Sequence, residues 1–188
     1  MVKSRTQLLQ MLLFAICAIA STGALAAIAR FDAQLSQSNE VGVPALPVPF
    51  AFGSASILFD TDSGDLEWVI SFSGLSGTPI GAHIHEAPVG TNGGIVLSLG
   101  SPVFSAPGPS GVIGLYSDTA TIGAATLAAF SSALFGDLLY VNIHTPSNGA
   151  GEVRGQLEFS SIVVPLPPAL VLLGGACAVL FGSRRRLS

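Results

Sequence analysis

Cysteine is almost absent from this chain. Cys17 and Cys177 are the only two, and both lie in apolar segments near the ends. The stretch between them can form no disulfide of its own and has no thiolate chemistry, so its core must hold it together. Charge is scarce as well, at 10% of residues, where about 25% is usual. With hydrophobic residues at 49%, that excludes a disordered polyelectrolyte. Basic residues are rarest where they would matter for nucleic acid. Of seven Lys and Arg, five stand at the extreme ends (Lys3, Arg5 and Arg184 to Arg186), leaving Arg30 and Arg154 for the rest. All eleven acidic residues lie from Asp32 to Glu158. Two bases against eleven acids give the middle a formal charge of −9. Such a surface repels phosphate backbones, so no nucleic-acid partner is expected. Several site chemistries are missing too. No Gly-rich phosphate loop precedes a helix, and no serine stands in a nucleophile-elbow motif. The run Asp60-Thr61-Asp62-Ser63-Gly64-Asp65 is too short for a calcium loop and lacks a bidentate Glu at its far end.

What is present begins with the two ends. Lys3 and Arg5 precede an apolar stretch from Leu8 to Ala20, followed by small residues and Ala24-Leu25-Ala26. This is the layout of a secretory signal peptide spanning 1–26, cleaved after the A-x-A site. The apolar run is too short to span a bilayer well, since about twenty residues are needed. At the other end, Ile162 to Phe181 is an uncharged, mostly apolar run followed by Arg184 to Arg186. Positive charge stays on the cytoplasmic side, so the preceding domain is expected outside. Residues 162–186 would then contact the inner membrane. The order Val164-Pro165-Leu166-Pro167, short apolar helix and Arg cluster resembles the VPLP-type relatives of bacterial PEP-CTERM sorting tails. That resemblance implies a tail, 162–188, that holds an exported protein at the inner membrane until an exosortase-type transpeptidase processes it. The expected location is periplasmic, cell-surface or extracellular.

Between the ends, 27–161 reads as one all-β domain. Runs with strand-like alternation or β-branched content recur between Gly, Pro, Ser and Asp clusters. They are Ala29 to Leu35, Ser54 to Asp60, Asp65 to Phe72, Gly81 to His85, Ile95 to Leu99, Val112 to Ser117, Leu139 to His144 and Glu152 to Phe159. The second and third flank Thr61-Asp62-Ser63-Gly64 as a hairpin. Ala124 to Phe135 alone reads as a helix, with Leu127, Phe130 and Leu134 on one side. Asn39 to Phe52, rich in Pro and Val, is read as an extended loop or edge crossing. Many short strands with frequent turns predict an antiparallel sandwich or barrel.

The chain has three histidines, His83, His85 and His144. In a strand, residues two apart share a face, so His83 and His85 project together. His144 ends another predicted strand. If the two strands are neighbours, three imidazoles converge, a set that suits copper or zinc and leaves a fourth position open. Otherwise the three are ordinary polar residues on solvated turns and faces. Arg154 admits two readings: an ion pair with nearby carboxylates, or an anion guide beside the metal.

Phe31-Asp32-Ala33-Gln34-Leu35, Ala82-His83-Ile84-His85 with Gly90, and Tyr140-Val141-Asn142-Ile143-His144-Thr145 leading to Gly151-Glu152-Val153-Arg154-Gly155-Gln156-Leu157 resemble the CHRD domain. This module was first recognised in chordin and also occurs in bacterial exported proteins. The resemblance implies an all-β extracellular module with no settled catalytic activity. A second, weaker similarity joins His83-Ile84-His85, His144, the turn Asn148-Gly149-Ala150-Gly151 and Arg154 to the copper site of copper/zinc superoxide dismutases. It implies a Greek-key sandwich, copper ligands at His83, His85 and His144, and anion steering by Arg154. No fourth histidine is present to bridge copper to zinc, and no cysteine pair stands in the domain. The expected function is therefore a non-catalytic, exported, envelope- or matrix-associated module with a binding or structural role, its partner an extracellular protein or polysaccharide if it binds one. The alternative is a copper-binding, superoxide-dismutase-like domain.

Overall fold

A computed structural model of the chain describes residues 27–42, 51–106, 108 and 110–163. The signal-peptide segment 1–26, the tail from residue 164 and most of the Asn39 to Phe52 loop lie outside the described residues, as do the predicted terminal hydrophobic helices. No described helix is long and apolar enough to cross a membrane.

Among the described residues, ten strands and one α-helix follow in chain order, with a single 3-10 turn at Gln37–Asn39. They are β1 (Ile28–Ser36), β2 (Phe52–Asp60), β3 (Asp65–Leu75), β4 (Gly81–Glu86), β5 (Gly94–Ser98), β6 (Val103–Phe104), β7 (Val112–Thr121), α1 (Ala124–Phe135), β8 (Leu139–Thr145), β9 (Asn148–Gln156) and β10 (Glu158–Val163). The alternation that predicted the strands also fixes which face is buried. In β3, Leu66, Trp68, Ile70 and Phe72 are buried while Asp65, Glu67, Val69 and Ser71 face out. Each such buried apolar side chain stabilises the fold by about 1.5–3 kcal/mol.

Hydrogen-bonded neighbours run β5-β4-β8-β9-β1-β2-β3-β7-β6, with β10 paired to β1 off this path. β5 and β6 stand at opposite ends of that order, yet only Leu99 to Pro102 join them in the chain. Four residues cannot cross the width of an open nine-stranded sheet, so the sheet curls until its ends approach. The result is an antiparallel half-barrel, in line with the sandwich or barrel expected. Phe31, Ile57, Phe59, Ile70, Ile84, Val141, Ile143 and Leu157 belong to one core. α1 lays Phe130, Ala133 and Leu134 onto it, and Leu127 packs at the margin.

Three differences from the sequence reading have physical causes. The run Glu152 to Phe159 is two strands rather than one. Leu157 interrupts it, buried and donating its N–H to the Leu139 carbonyl, while β9 pairs with β8 and β10 with β1. β9 also starts earlier, at Asn148, through a Gly149-Ala150-Gly151 stretch with little strand propensity. Finally, Ile162 and Val163, read as the start of the apolar tail, pair with Ala29 and Ile28.

β8 positions the site. All seven of its residues are buried, on both faces. Leu139, Val141 and Ile143 enter the core, whereas Tyr140, Asn142 and His144 alternate onto the opposite face. That second face is polar and covered, an arrangement hydropathy alone does not reveal.

Candidate metal centre

β4 and β8 are antiparallel neighbours in register, with Gly81 opposite His144, His83 opposite Asn142 and His85 opposite Tyr140. The condition for convergence is therefore met. Ring centroids lie 5.7 Å apart for His83 and His85, 5.0 Å for His83 and His144, and 5.6 Å for His85 and His144. One ring nitrogen from each lies within 4.8 Å of those of the other two. Ligands sharing one ion at about 2.0–2.1 Å stand roughly 3–4 Å from one another. Small ring adjustments would close the remaining gap.

The hydrogen bonds select which nitrogens face inward. His85 Nδ1 lies 3.0 Å from the Gly93 carbonyl oxygen, and His144 Nδ1 lies 3.1 Å from that of Gly149. A carbonyl only accepts, so each Nδ1 carries the proton and each Nε2 keeps a bare lone pair. Both Nε2 atoms are buried without a hydrogen-bond partner, and so is Nδ1 of His83. Leaving one such group unsatisfied costs about 1–3 kcal/mol. Three of them, one on each ring of a cluster this close, fit a transition-metal ion, with the carbonyls acting as the outer supports typical of imidazole ligands. Burial and the neighbouring His83 push the His144 pKa down to about 4. Burial, then His85, also lowers that of His83. Both effects favour the neutral, ligating imidazole at ordinary pH.

The strands that carry this cluster lie within residues 31–157, which the CHRD domain profile matches. The chain belongs to the CHRD domain family. No curated protein and no solved structure matches it.

Other polar groups of this CHRD domain surround the histidines. Tyr140 stacks on His85, with centroids 5.1 Å apart and planes 12° from parallel. The Arg154 guanidinium carbon stands 3.4 Å from the centre of the Tyr140 ring. β8 lies between β4 and β9, so Tyr140 separates His85 from Arg154. Arg154 is only 2% exposed. It donates to the carbonyls of Thr91 at 2.8 Å and Pro88 at 3.3 Å, and to Asn92 Oδ1 and Gln156 Oε1 at the edge of hydrogen-bond range. No carboxylate pairs with it: Arg30–Asp32 is the one ion pair among the described residues. The expected ion pair is thus replaced by carbonyl contacts. Burial lowers the Arg154 pKa below its usual value, with Tyr140 and Glu40 opposing.

Sequence reasoning missed Tyr140, Glu40 and Glu152. Tyr140 was legible in principle, since it stands four residues from His144 on the same strand face. Glu152 is fully buried and ties two segments together, accepting hydrogen bonds from the Ser76 N–H and hydroxyl and from the Thr145 hydroxyl. Glu40 lies 3.5 Å from Asn142 Nδ2, and burial raises its pKa to about 7 against the pull of Arg154. A cleft of about 640 Å³ is bordered by Glu40, Asn39, Asp32, Arg154, Gln156 and Phe159.

Proposed function

We propose that this CHRD protein is an exported, non-catalytic module of the cell envelope or extracellular matrix that holds one copper or zinc ion at His83, His85 and His144. The observation that carries the metal reading is the set of three buried ring nitrogens without partners. Imidazole suits both copper and zinc. When bound, such an ion supplies a cross-link between β4 and β8, which raises stability because only the folded chain gathers its ligands. The export reading rests on the signal-peptide layout of 1–26. Retention at the inner membrane before a sorting transpeptidase acts rests on the resemblance of the tail. The partner we favour is an extracellular polysaccharide. The cleft beside Arg154 carries carboxylates and amides for hydroxyl groups, and Phe159, 47% exposed, offers a ring face.

The dismutase reading has less support. Its steering arginine would be Arg154, whose guanidinium is engaged by the carbonyls of Thr91 and Pro88 and covered by Tyr140. Metal analysis of the purified protein tests the proposal. About one copper or zinc per chain is expected, removable by chelation with a fall in melting temperature. Reloading with copper should give no superoxide consumption beyond that of free copper. A chain that holds neither metal at micromolar concentration contradicts the metal reading, and rapid superoxide turnover contradicts the non-catalytic one.

A further inference from the structure

Arg154 is a buried cation without a carboxylate partner, an expensive arrangement unless its N–H groups are well used. Apart from one long contact to Gln156, they are used on one short loop, the segment between β4 and β5. That loop has little else to place it. Pro88 to Asn92 are all exposed, and Val89, its one large apolar residue, is 77% exposed. At its near end, Ala87 N–H bonds the Leu138 carbonyl and Gln156 bonds the Ala87 carbonyl. Beyond Ala87 the tethers are Arg154, through the Pro88 and Thr91 carbonyls and Asn92, and Tyr140, whose hydroxyl accepts from Gly93 N–H at 3.0 Å. Gly93 is the residue whose carbonyl fixes His85 Nδ1. The same guanidinium also lies on the Tyr140 ring that stacks on His85. Two routes, one through the loop and one through the ring, therefore run from Arg154 to a single histidine.

We infer that Arg154 is the positioning residue of the metal centre: by holding the Pro88 to Gly93 loop and the Tyr140 ring, it keeps His85 in the Nδ1–H form with Nε2 facing the other two imidazoles. His144 serves as an internal control, because its Nδ1 bonds to Gly149, at the start of β9, rather than to that loop. The inference rests on the three-histidine reading, but its first readout needs no metal.

The test is nitrogen-15 NMR of the metal-free, full-length protein labelled at its three histidines, paired with zinc(II) titration. In the native protein His85 and His144 should both show a protonated Nδ1 and a bare Nε2. In Arg154→Lys, which keeps the charge but not the planar fork, His85 alone should become a mixture of tautomers, and zinc affinity should fall at least tenfold. Should that variant not fold, Tyr140→Phe keeps ring and guanidinium and deletes only the bond from Gly93. It should give the same His85-selective change at smaller size. A single, unchanged His85 tautomer in the folded variant overturns the inference, as does equal loss of order at His85 and His144. A native protein that binds no zinc would instead remove the metal reading, while the tautomer comparison still decides the role of Arg154.

Discussion

His144 and Glu40 carry shifted pKa values of opposite thermodynamic sign on the covered polar face. His144, held down to about 4, stays neutral in the folded chain while the unfolded chain takes up a proton near pH 6.5. Its effect on stability is nil above about pH 6.5, grows unfavourable as pH falls, and levels off below about 4. Glu40, raised to about 7, is costly when ionised, and acidification from about pH 7 to 4.5 relieves that cost. The two trends oppose each other across most of one window, and the lowered pKa of His83 adds to the His144 trend, so the metal-free native protein should lose less stability between pH 7 and 4.5 than a chain without the Glu40 carboxylate. Glu40→Gln should expose the His144 trend. At pH 8 it should be more stable than the native chain by about 1 kcal/mol, after allowance for solvent screening. It should then lose on the order of 2 kcal/mol between pH 6.5 and 4. Urea denaturation at several pH values checks both. A Glu40→Gln profile parallel to that of the native chain would contradict the assignment.

Strand β8 shows how far the sequence could be read and where it stopped. Its residues Leu139, Val141 and Ile143 announce a half-buried strand by alternation, and the His-Ile-His run of β4 places two imidazoles on one face. What alternation could not convey is that the polar face of β8 is also buried. Polar residues at strand spacing usually mean solvent, and only tertiary cover from a loop elsewhere in the chain changes that. The same limit hid Arg154's partners: backbone carbonyls leave no signature in sequence, so carboxylates were the natural expectation. The break at Leu157 was hidden because an apolar residue fits a continuous strand equally well. Helix α1, by contrast, was legible at both ends, since its apolar spacing is local and Gly123 and Gly136 flank it. Its contribution is to the core rather than to the site. Leu134 is fully buried, so Leu134→Ala should cost about 2–5 kcal/mol in denaturant unfolding. Zinc affinity of the molecules that remain folded should be unchanged. A matching loss of affinity would show that the core and the centre are not independent.

At the scale of the whole molecule, the curled sheet explains why a domain without a disulfide can present a polar site. Ala27–Val163 form a unit of their own, with the apolar core on one face of β4, β8 and β9 and the histidine face on the other. The core supplies the rigidity, and the loop after β4 and the first residues of β9 supply the two carbonyls that orient His85 and His144. The central proposal is that these features converge on one metal ion. X-ray absorption at the zinc edge of the zinc-loaded, full-length protein tests it most directly. The account predicts three imidazole nitrogens at about 2.0–2.1 Å around a single zinc per chain, with the signal lost in His144→Ala. Zinc that is absent, bound through carboxylates, or retained unchanged in His144→Ala would contradict it.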